Sequence, residues 1–382
     1  MMRTRLSFAG ALAVITAIPA VSNSAGAQGT LSTQGFGYPP GQISAGAAAL
    51  GGGPAETDAA SALNPAAMAA WGRPGVYFEY APEFRSVSAN GQSDNTTTSR
   101  FPLAAGAMML GTRVTLGVSL STLLDRTWET TRTGYKQLVL DSVPFTEDFR
   151  SAGAINDVKA GISVGVLRTL WLGVAADVFS GDNDLTITRS SSDTTVAVYN
   201  QTARMSYSGI GASAGIMWQP DQVLAIGISG RLGGRLTSYR NDTVLTRATA
   251  PDRAGAGIAF TGLPGVILAF RADWDGWKSM NGLGSAGLGV VNTWDYGGGA
   301  EFRGPSALGA PLALRIGYRR RGLPFLVDSA KIMESAYSGG VGVLLAQGRS
   351  RIDLTLVRSV RNGLPGVTEH AWTMEFGVMV RP

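Results

Sequence analysis

The chain has 382 residues, of which 45% are hydrophobic and only 15% are charged. Its net charge of +5, from 32 basic and 27 acidic residues, is too small to indicate nucleic-acid binding. The chain has no cysteine and one histidine, which excludes disulfide bonds and thiol chemistry and disfavours a catalytic zinc site, so we expect no metal and no cofactor.

The first 27 residues have the three parts of a secretory signal peptide. Arg3 and Arg5 precede an apolar run from Leu6 to Ala20, and Ala25-Gly26-Ala27 is a small-x-small cleavage site. We expect the mature chain to begin near Gln28. No later apolar run approaches the roughly 20 residues that a membrane-spanning helix needs.

The next segment, residues 28–74, is too rich in small residues to form a core of its own. Glycine and alanine dominate it, and four prolines interrupt any regular element: Pro39, Pro40, Pro54 and Pro65. Such a segment buries little apolar area per residue and must be ordered by its surroundings. We predict that residues 28–74 form a plug inside a wall made by the rest of the chain.

The wall begins with a strict alternation of side chains. Val76, Phe78 and Tyr80 fall on one face, and Tyr77 and Glu79 fall on the other, which is the period of a β-strand. The pattern repeats to the C-terminus in about fourteen strands, with short connections on one side and longer polar ones on the other. Outer-membrane barrels sort their connections in this way, whereas a soluble β-sandwich has no reason to do so.

We therefore predict an all-β fold for residues 75–382, a transmembrane antiparallel β-barrel of about fourteen strands. The strand charges lie mostly on the glycine-bearing face, as expected if the other face meets lipid, where a central Lys or Arg costs about 2–4 kcal/mol. Arg358 is an exception because it falls on the apolar face, but it lies near the loop end of its strand, where this cost is smaller. The inward glycines serve either strand curvature and tight packing or room for the plug and a ligand path.

Two enzyme-like motifs lie within predicted strands. Gly161–Gly165 and Gly211–Gly215 match the G-x-S-x-G nucleophile elbow, but an elbow needs a strand-to-helix turn and a base, and His370 is the only histidine. Gly282–Gly287 matches a dinucleotide fingerprint without a surrounding βαβ unit. We predict that the protein is not an enzyme.

Several segments resemble the FadL/TodX outer-membrane transport superfamily. They are the small-residue segment with Asp58 and Asn64-Pro65-Ala66, the tryptophan-containing Trp274–Ser279, and the Leu-Arg-x-Gly-Tyr strand at Leu314–Tyr318. The superfamily includes long-chain fatty acid channels, aromatic hydrocarbon channels and PorV-like barrels associated with secretion. The resemblance spans essentially the mature chain and implies a plugged outer-membrane barrel.

The resemblance also implies a function, passive uptake of a hydrophobic small molecule past a movable plug. Asp58, Asn64, Pro65 and Ala66 are then the expected plug and gating residues. The expected surroundings are outer-membrane lipid, lipopolysaccharide and the barrel assembly machinery. The alternative is a PorV-like barrel that transports nothing and anchors secreted proteins.

Three inward arginines, Arg271, Arg315 and Arg319, are candidates to bind the head group of a carboxylate solute. The other interpretation is that they are ordinary salt-bridge partners in the lumen.

The turn at Asn64 carries a local geometric prediction. We expect the Asn64 side chain to cap a nearby backbone group, as asparagine does in such turns, and Pro65 to fix the backbone so that the chain re-enters the wall at Val76.

Overall fold

A computed structural model describes residues 31, 33, 35–89, 92–137, 142–191, 198–283, 289–307, 309–327 and 329–382. The signal peptide predicted at residues 1–27 lies outside the described residues, as do residues 28–30 of the predicted plug and residues 284–287 of the glycine-rich loop. Among the described residues, no helix is both long and apolar enough to cross a membrane.

The described chain forms seventeen β-strands and four short helical segments. The strands are β1 (Gly75–Ala89), β2 (Gln92–Arg100), β3 (Leu103–Leu110), β4 (Val114–Asp125), β5 (Trp128–Gln137), β6 (Ser142–Leu167), β7 (Leu170–Ser191), β8 (Tyr199–Trp218), β9 (Leu224–Arg240), β10 (Thr243–Thr249), β11 (Arg253–Leu263), β12 (Val266–Asp275), β13 (Thr293–Ala307), β14 (Ala310–Val327), β15 (Ala330–Leu345), β16 (Ser350–Leu364) and β17 (Val367–Val380). The helical segments are α1 (Ala45–Ala48) and the 3₁₀ turns η1 (Pro65–Trp71), η2 (Trp277–Leu283) and η3 (Ala346–Gly348).

The strands close into a barrel with fourteen wall positions, which confirms the predicted fold class. The first strand pairs with the last, from Val76 opposite Val380 to Ala89 opposite Val367. Three wall strands are interrupted and so count twice: β2 and β3 both pair with β1, β4 and β5 with β6, and β10 and β11 with β9. Closure leaves no exposed sheet edge around the lower wall, which is the part of the barrel nearest the short turns.

The strands extend farther on the loop side than the alternation predicts. β6 has 26 residues and β7 has 22, so most of the chain expected in the loops near 121–154 and 181–203 is strand. These extensions are rich in serine and threonine. Their side chains are mostly polar on both faces, so the apolar alternation that reveals the lower wall is weak here.

The two faces of the wall have the predicted polarity. Val76 and Phe78 point outward and are 58% and 60% exposed, while Tyr77 and Glu79 point inward and are buried. The same alternation on the other strands produces a continuous apolar outer band. A band of this kind is suited to lipid and not to water.

Residues 35–74, called here the luminal segment, lie inside the ring. The backbone carbonyls of Ala45, Ala49 and Ala62 accept hydrogen bonds from Thr355, Ser338 and Lys159 respectively, at 2.8, 3.0 and 2.9 Å. These donors belong to β16, β15 and β6. A segment that is held from such widely separated strands occupies the lumen.

Inward glycines of the wall make room for this segment. A Cβ atom at Gly297 would collide with the Gly51 carbonyl, one at Gly173 with the backbone at Ala66, and one at Gly227 with the Glu56 carbonyl. At Gly161 and Gly211 the nearest neighbours are instead wall atoms. Tight packing of the wall and room for the luminal segment therefore both hold, at different positions, while the ligand path stays a prediction.

Candidate functional site: the barrel lumen

The Asn64 turn has the predicted cap and two further contacts. The Asn64 Oδ1 atom accepts a hydrogen bond from the Ala66 amide at 2.9 Å, at the start of η1. Its Nδ2 atom donates to the Glu56 carbonyl at 2.8 Å and to the Ile216 carbonyl of β8 at 3.0 Å. The side chain is buried and thus joins the turn, the luminal segment and the wall.

Pro65 and Ala66 continue the same contact. Pro65 is the first residue of η1, where its missing N–H costs no hydrogen bond. The Ala66 carbonyl accepts a hydrogen bond from Ser163 of β6 at 3.1 Å. The serine of one elbow-like motif thus holds the luminal segment.

Asp58 connects the luminal segment to itself. Its Oδ2 atom accepts hydrogen bonds from the Ser44 hydroxyl at 2.6 Å, the Ser61 hydroxyl at 2.7 Å and the Ser61 amide at 3.1 Å. Ser44 is also the N-cap of α1. Asp58 therefore fixes the internal fold of the segment.

Glu56 is a docking residue that sequence reasoning missed. It is fully buried, forms an ion pair with Arg253 of β11 and accepts a hydrogen bond from Ser229 of β9 at 2.7 Å. Burial alone raises the pKa of Glu56, but the charge of Arg253 and the hydrogen bonds from Ser229 and Arg253 outweigh it and hold the pKa below its ordinary value. The sequence does contain a signal that could have identified Glu56, namely a carboxylate among small residues in a segment predicted to be enclosed.

The three candidate head-group arginines are all ion-paired. Arg271 lies 2.8 Å from Asp295, and Arg319 lies 2.5 Å from the same carboxylate. Arg315 lies elsewhere in the lumen, 2.6 Å from Glu301 and 2.5 Å from Asp353. The structure thus brings two of the three together, and each already has a carboxylate partner.

Tyr38 of the luminal segment sits within a cluster of arginines. Four guanidinium groups lie 4.5 to 5.8 Å from the centre of its ring: Arg85, Arg100, Arg321 and Arg361. The Tyr38 hydroxyl donates to Glu334 at 3.0 Å, and burial raises the pKa of this phenol. Sequence reasoning missed the cluster because its members come from distant strands.

Among the described residues, no strand ladder joins β2 to β5. β3 and β4 pair up to Leu103 opposite Ser121, after which residues 121–126 bend inward and are all buried. At the end of the bend, Asp125 pairs with Tyr38 through two backbone hydrogen bonds of 2.7 and 2.8 Å. Within the described chain, β2 then pairs only with β1, and β5 only with β6. We call this break in the hydrogen-bonded wall, above the bend, the lateral opening.

A loop-side apolar cluster fills the lumen beside the opening. Its buried members are Leu31, Phe36, Tyr38, Leu123, Leu124, Ile155, Phe179, Tyr207, Leu236, Ala250, Trp277, Met280, Leu283, Val290, Leu323, Phe325 and Ile332. Leu31 and Phe36 come from the N-terminal part of the described chain, and Phe36 packs edge-on against Trp277 with ring centres 6.3 Å apart. Leu123 and Leu124 belong to the inward bend. The cluster therefore reaches the opening directly.

The lumen below is polar. A cavity of about 60 Å³ is lined by seven ionisable side chains besides Tyr38: Glu79, Glu83, Arg100, Arg319, Arg321, Glu334 and Glu375. A second cavity of about 40 Å³ is lined by Arg231, Arg253, Arg271, Asp273, Asp275, Asp295, Arg319 and Arg321. An apolar molecule moving along the barrel axis would have to cross this charged region.

Solved structures share this architecture. A Pseudomonas aeruginosa FadL homologue superposes with a TM-score of 0.64 at 13% identity, over 90% of this chain and 99% of that one. The Ralstonia pickettii toluene transporter TbuX superposes with a TM-score of 0.56 at 15% identity, over 91% of this chain and 98% of that one. The Pseudomonas putida toluene transporter TodX superposes with a TM-score of 0.53 at 14% identity, over 91% of this chain and 99% of that one. The fold is that of the FadL- and TodX-type channels.

At these identities the likeness establishes the fold alone. No protein-family model matches the sequence, and no curated protein is detectably similar to it in sequence. Nine-tenths of the chain has the FadL-type fold, so the function must be argued from the chain's own lumen.

Proposed function

We propose that this FadL-type protein is an outer-membrane channel for the passive uptake of hydrophobic small molecules. The observation that carries the proposal is the contact between the loop-side apolar cluster and the lateral opening. Leu123 and Leu124 belong to the cluster and to the bend below the opening, so buried apolar side chains extend from the loop side of the lumen to this break in the wall. Two similar structures are toluene transporters, which supports this solute class.

The route leads sideways and not along the axis. The lower lumen holds the luminal segment and two cavities lined with charged side chains. An apolar solute gains nothing by entering that region, whereas the opening begins just above the exposed Leu120 of the apolar band, so a solute that leaves there reaches the edge of the lipid. Leu31 and Phe36 occupy the apolar cluster and must shift to admit the solute.

The preferred solute is neutral. Arg271, Arg315 and Arg319 already pair with Asp295, Glu301 or Asp353, so binding a carboxylate solute would weaken existing ion pairs in the lumen. Aromatic hydrocarbons therefore fit the lumen better than long-chain fatty acids do.

In this proposal residues 28–74 act as a plug. Asn64, Pro65 and Ala66 join it to β6 and β8, and Asp58 keeps its internal fold. These residues hold the closed state.

Uptake by a deletion strain tests the function. Radiolabelled toluene and a long-chain fatty acid are supplied to the strain with and without the gene restored. We expect restoration to raise toluene entry several-fold and to change fatty acid entry little. Equal toluene entry in both strains would refute the channel function, and a larger effect on the fatty acid would refute the neutral-solute preference.

A second candidate is a PorV-like anchor for secreted proteins. The observation in its favour is the polar sheet that β5 to β8 raise beyond the apolar band, which offers a surface to proteins outside the cell. Affinity capture from intact cells, with cross-linking before lysis, distinguishes the two. Recovery of secreted proteins together with unchanged toluene entry would favour the anchor.

A further inference from the structure

The outward face of β14 to β17 carries arginines and no acidic residue. Arg320 on β14 and Arg358 on β16 share the face of the exposed residues Ile316 and Leu356. The acidic residues of these four strands all lie on the buried inward face: Glu334, Asp353, Glu369 and Glu375. In the described part of the chain neither arginine forms an ion pair, so both are available there to an anion from outside the protein.

Aromatic residues place these arginines at the edge of the apolar band. Across the sheet, Arg358 lies between Tyr337 of β15 and Trp372 of β17, and its guanidinium is 5.0 Å from the centre of the Trp372 ring. The Tyr337 ring lies 5.1 Å from that of Tyr318. Aromatic girdles mark the level of the lipid head groups in outer-membrane barrels.

Residues on the same face change character at this level. Toward the turns the outward residues are apolar: Leu314, Ile316, Val341, Leu354, Leu356, Met374 and Phe376. Toward the loops they include Ser335, Asn362 and Thr368. The two arginines therefore lie at the boundary on the loop side, which faces the exterior in barrels of this type.

We propose that this face binds a phosphorylated glycolipid of the outer leaflet, with Arg320 and Arg358 as ligands of its phosphate. The two residues are separated by one strand and offset by two residues along it, since Arg320 pairs with Ser335 and Arg358 with Tyr337, so their backbones lie roughly 12 Å apart. Arginine side chains can close that distance on one phosphate group and hold it through paired N–H donors. The proposal assumes the outer-membrane orientation of the proposed function but does not depend on transport.

A shallow groove below the arginines suits an acyl chain. Gly339 is the next outward residue below Tyr337 on β15 and lies between Ile316 and Leu356. A Cβ atom there would meet only the Arg315 carbonyl, at 3.8 Å. A lipid can place its phosphate on the arginines and a chain over Gly339, whereas free phosphate gains only the first contact.

An exposed arginine elsewhere on the barrel provides a contrast. Arg204 on β8 lies 2.9 Å from Asp182 and 3.9 Å from Asp184, both on β7. That arginine has carboxylate partners within the protein. Arg204→Gln is therefore a matched control that removes an exposed arginine without touching the proposed site.

Native mass spectrometry of the full-length barrel in detergent, titrated with bisphosphorylated lipid A, tests the proposal. We expect Arg320→Gln/Arg358→Gln to bind lipid A about thirtyfold more weakly than the unmodified protein, since each of the two cations near a lipid surface contributes about 1 kcal/mol. Arg204→Gln should bind as the unmodified protein does. Heat-modifiable migration checks that each variant is folded.

Two further arms use the unmodified protein and do not depend on variant folding. Lipid A without phosphate should bind as weakly as the double variant, and equimolar inorganic phosphate should not displace lipid A. Equal binding by the double variant, equal loss in Arg204→Gln, or phosphate-independent binding would each overturn the proposal. Displacement by inorganic phosphate would also overturn it, because it would indicate a soluble-anion site.

Discussion

At the scale of single residues, the luminal segment is held by a few buried polar contacts. Asn64 satisfies one amide and two carbonyls, and Glu56 forms an ion pair with Arg253. Each contact links the segment to a different part of the wall. Removing one therefore loosens the segment while the hydrogen-bonded barrel stays closed.

Asn64→Ala should weaken the docking of the luminal segment by about 3 kcal/mol, because three hydrogen bonds worth roughly 1 kcal/mol each are lost. The barrel should still show heat-modifiable migration. Leak of a small hydrophilic dye through reconstituted vesicles should rise. Asn200→Ala, at an exposed site on β8, is the control and should not leak. Failure of Asn64→Ala to assemble would show that this turn is needed for folding and does not act as a gate.

Glu56 predicts a dependence of this leak on pH. Its pKa is lowered in the docked state, so its stabilising contribution is complete above the ordinary value of 4.5 and is lost as the pH falls through the lower docked value. Dye leak should therefore stay constant from neutral pH down to about pH 4.5 and increase only below it.

Glu56→Gln is the matched variant for this prediction. It removes the charge that Arg253 balances, so its leak should be raised already at neutral pH and should change less on acidification. A leak of the unmodified protein that rises between pH 8 and 6 would contradict the assignment to Glu56.

At the scale of elements, the sequence predicts the lower wall well and the upper lumen poorly. In segments such as Val76 to Tyr80, apolar side chains that face outward alternate with side chains that face the lumen. This alternation marks each strand, and the predicted number of strands is therefore correct. Three wall strands are interrupted, at Pro102, Arg126 and Pro251, where this alternation ends. The Tyr38 cluster and the inward bend depend on side chains brought together only by barrel closure.

The inward bend after β4 has its own prediction. Leu124 is fully buried in the loop-side apolar cluster, so Leu124→Asp places an unpaired charge where an apolar solute would bind. We expect toluene uptake to fall at least tenfold, while Leu124→Met, which nearly conserves volume, keeps it. Undiminished uptake in the aspartate variant that still folds would exclude this cluster from the route.

At the scale of the whole molecule, the protein has three regions with different roles in this account. The outer band meets lipid, the charged lower lumen is closed by the luminal segment, and the loop-side apolar cluster leads to the opening between β2 and β5. The central claim is that an apolar solute leaves through this opening and not along the axis.

A cross-link across the opening tests that claim most directly, and the absence of cysteine makes it simple to introduce. Thr98→Cys on β2 and Thr130→Cys on β5 are joined by a flexible bifunctional maleimide, and toluene uptake is measured before and after. The control joins Thr188→Cys and Asn200→Cys, which face each other on the paired strands β7 and β8. We predict that uptake stops when the opening is bridged and persists in the control; uptake that continues through a fully bridged opening would contradict the lateral route.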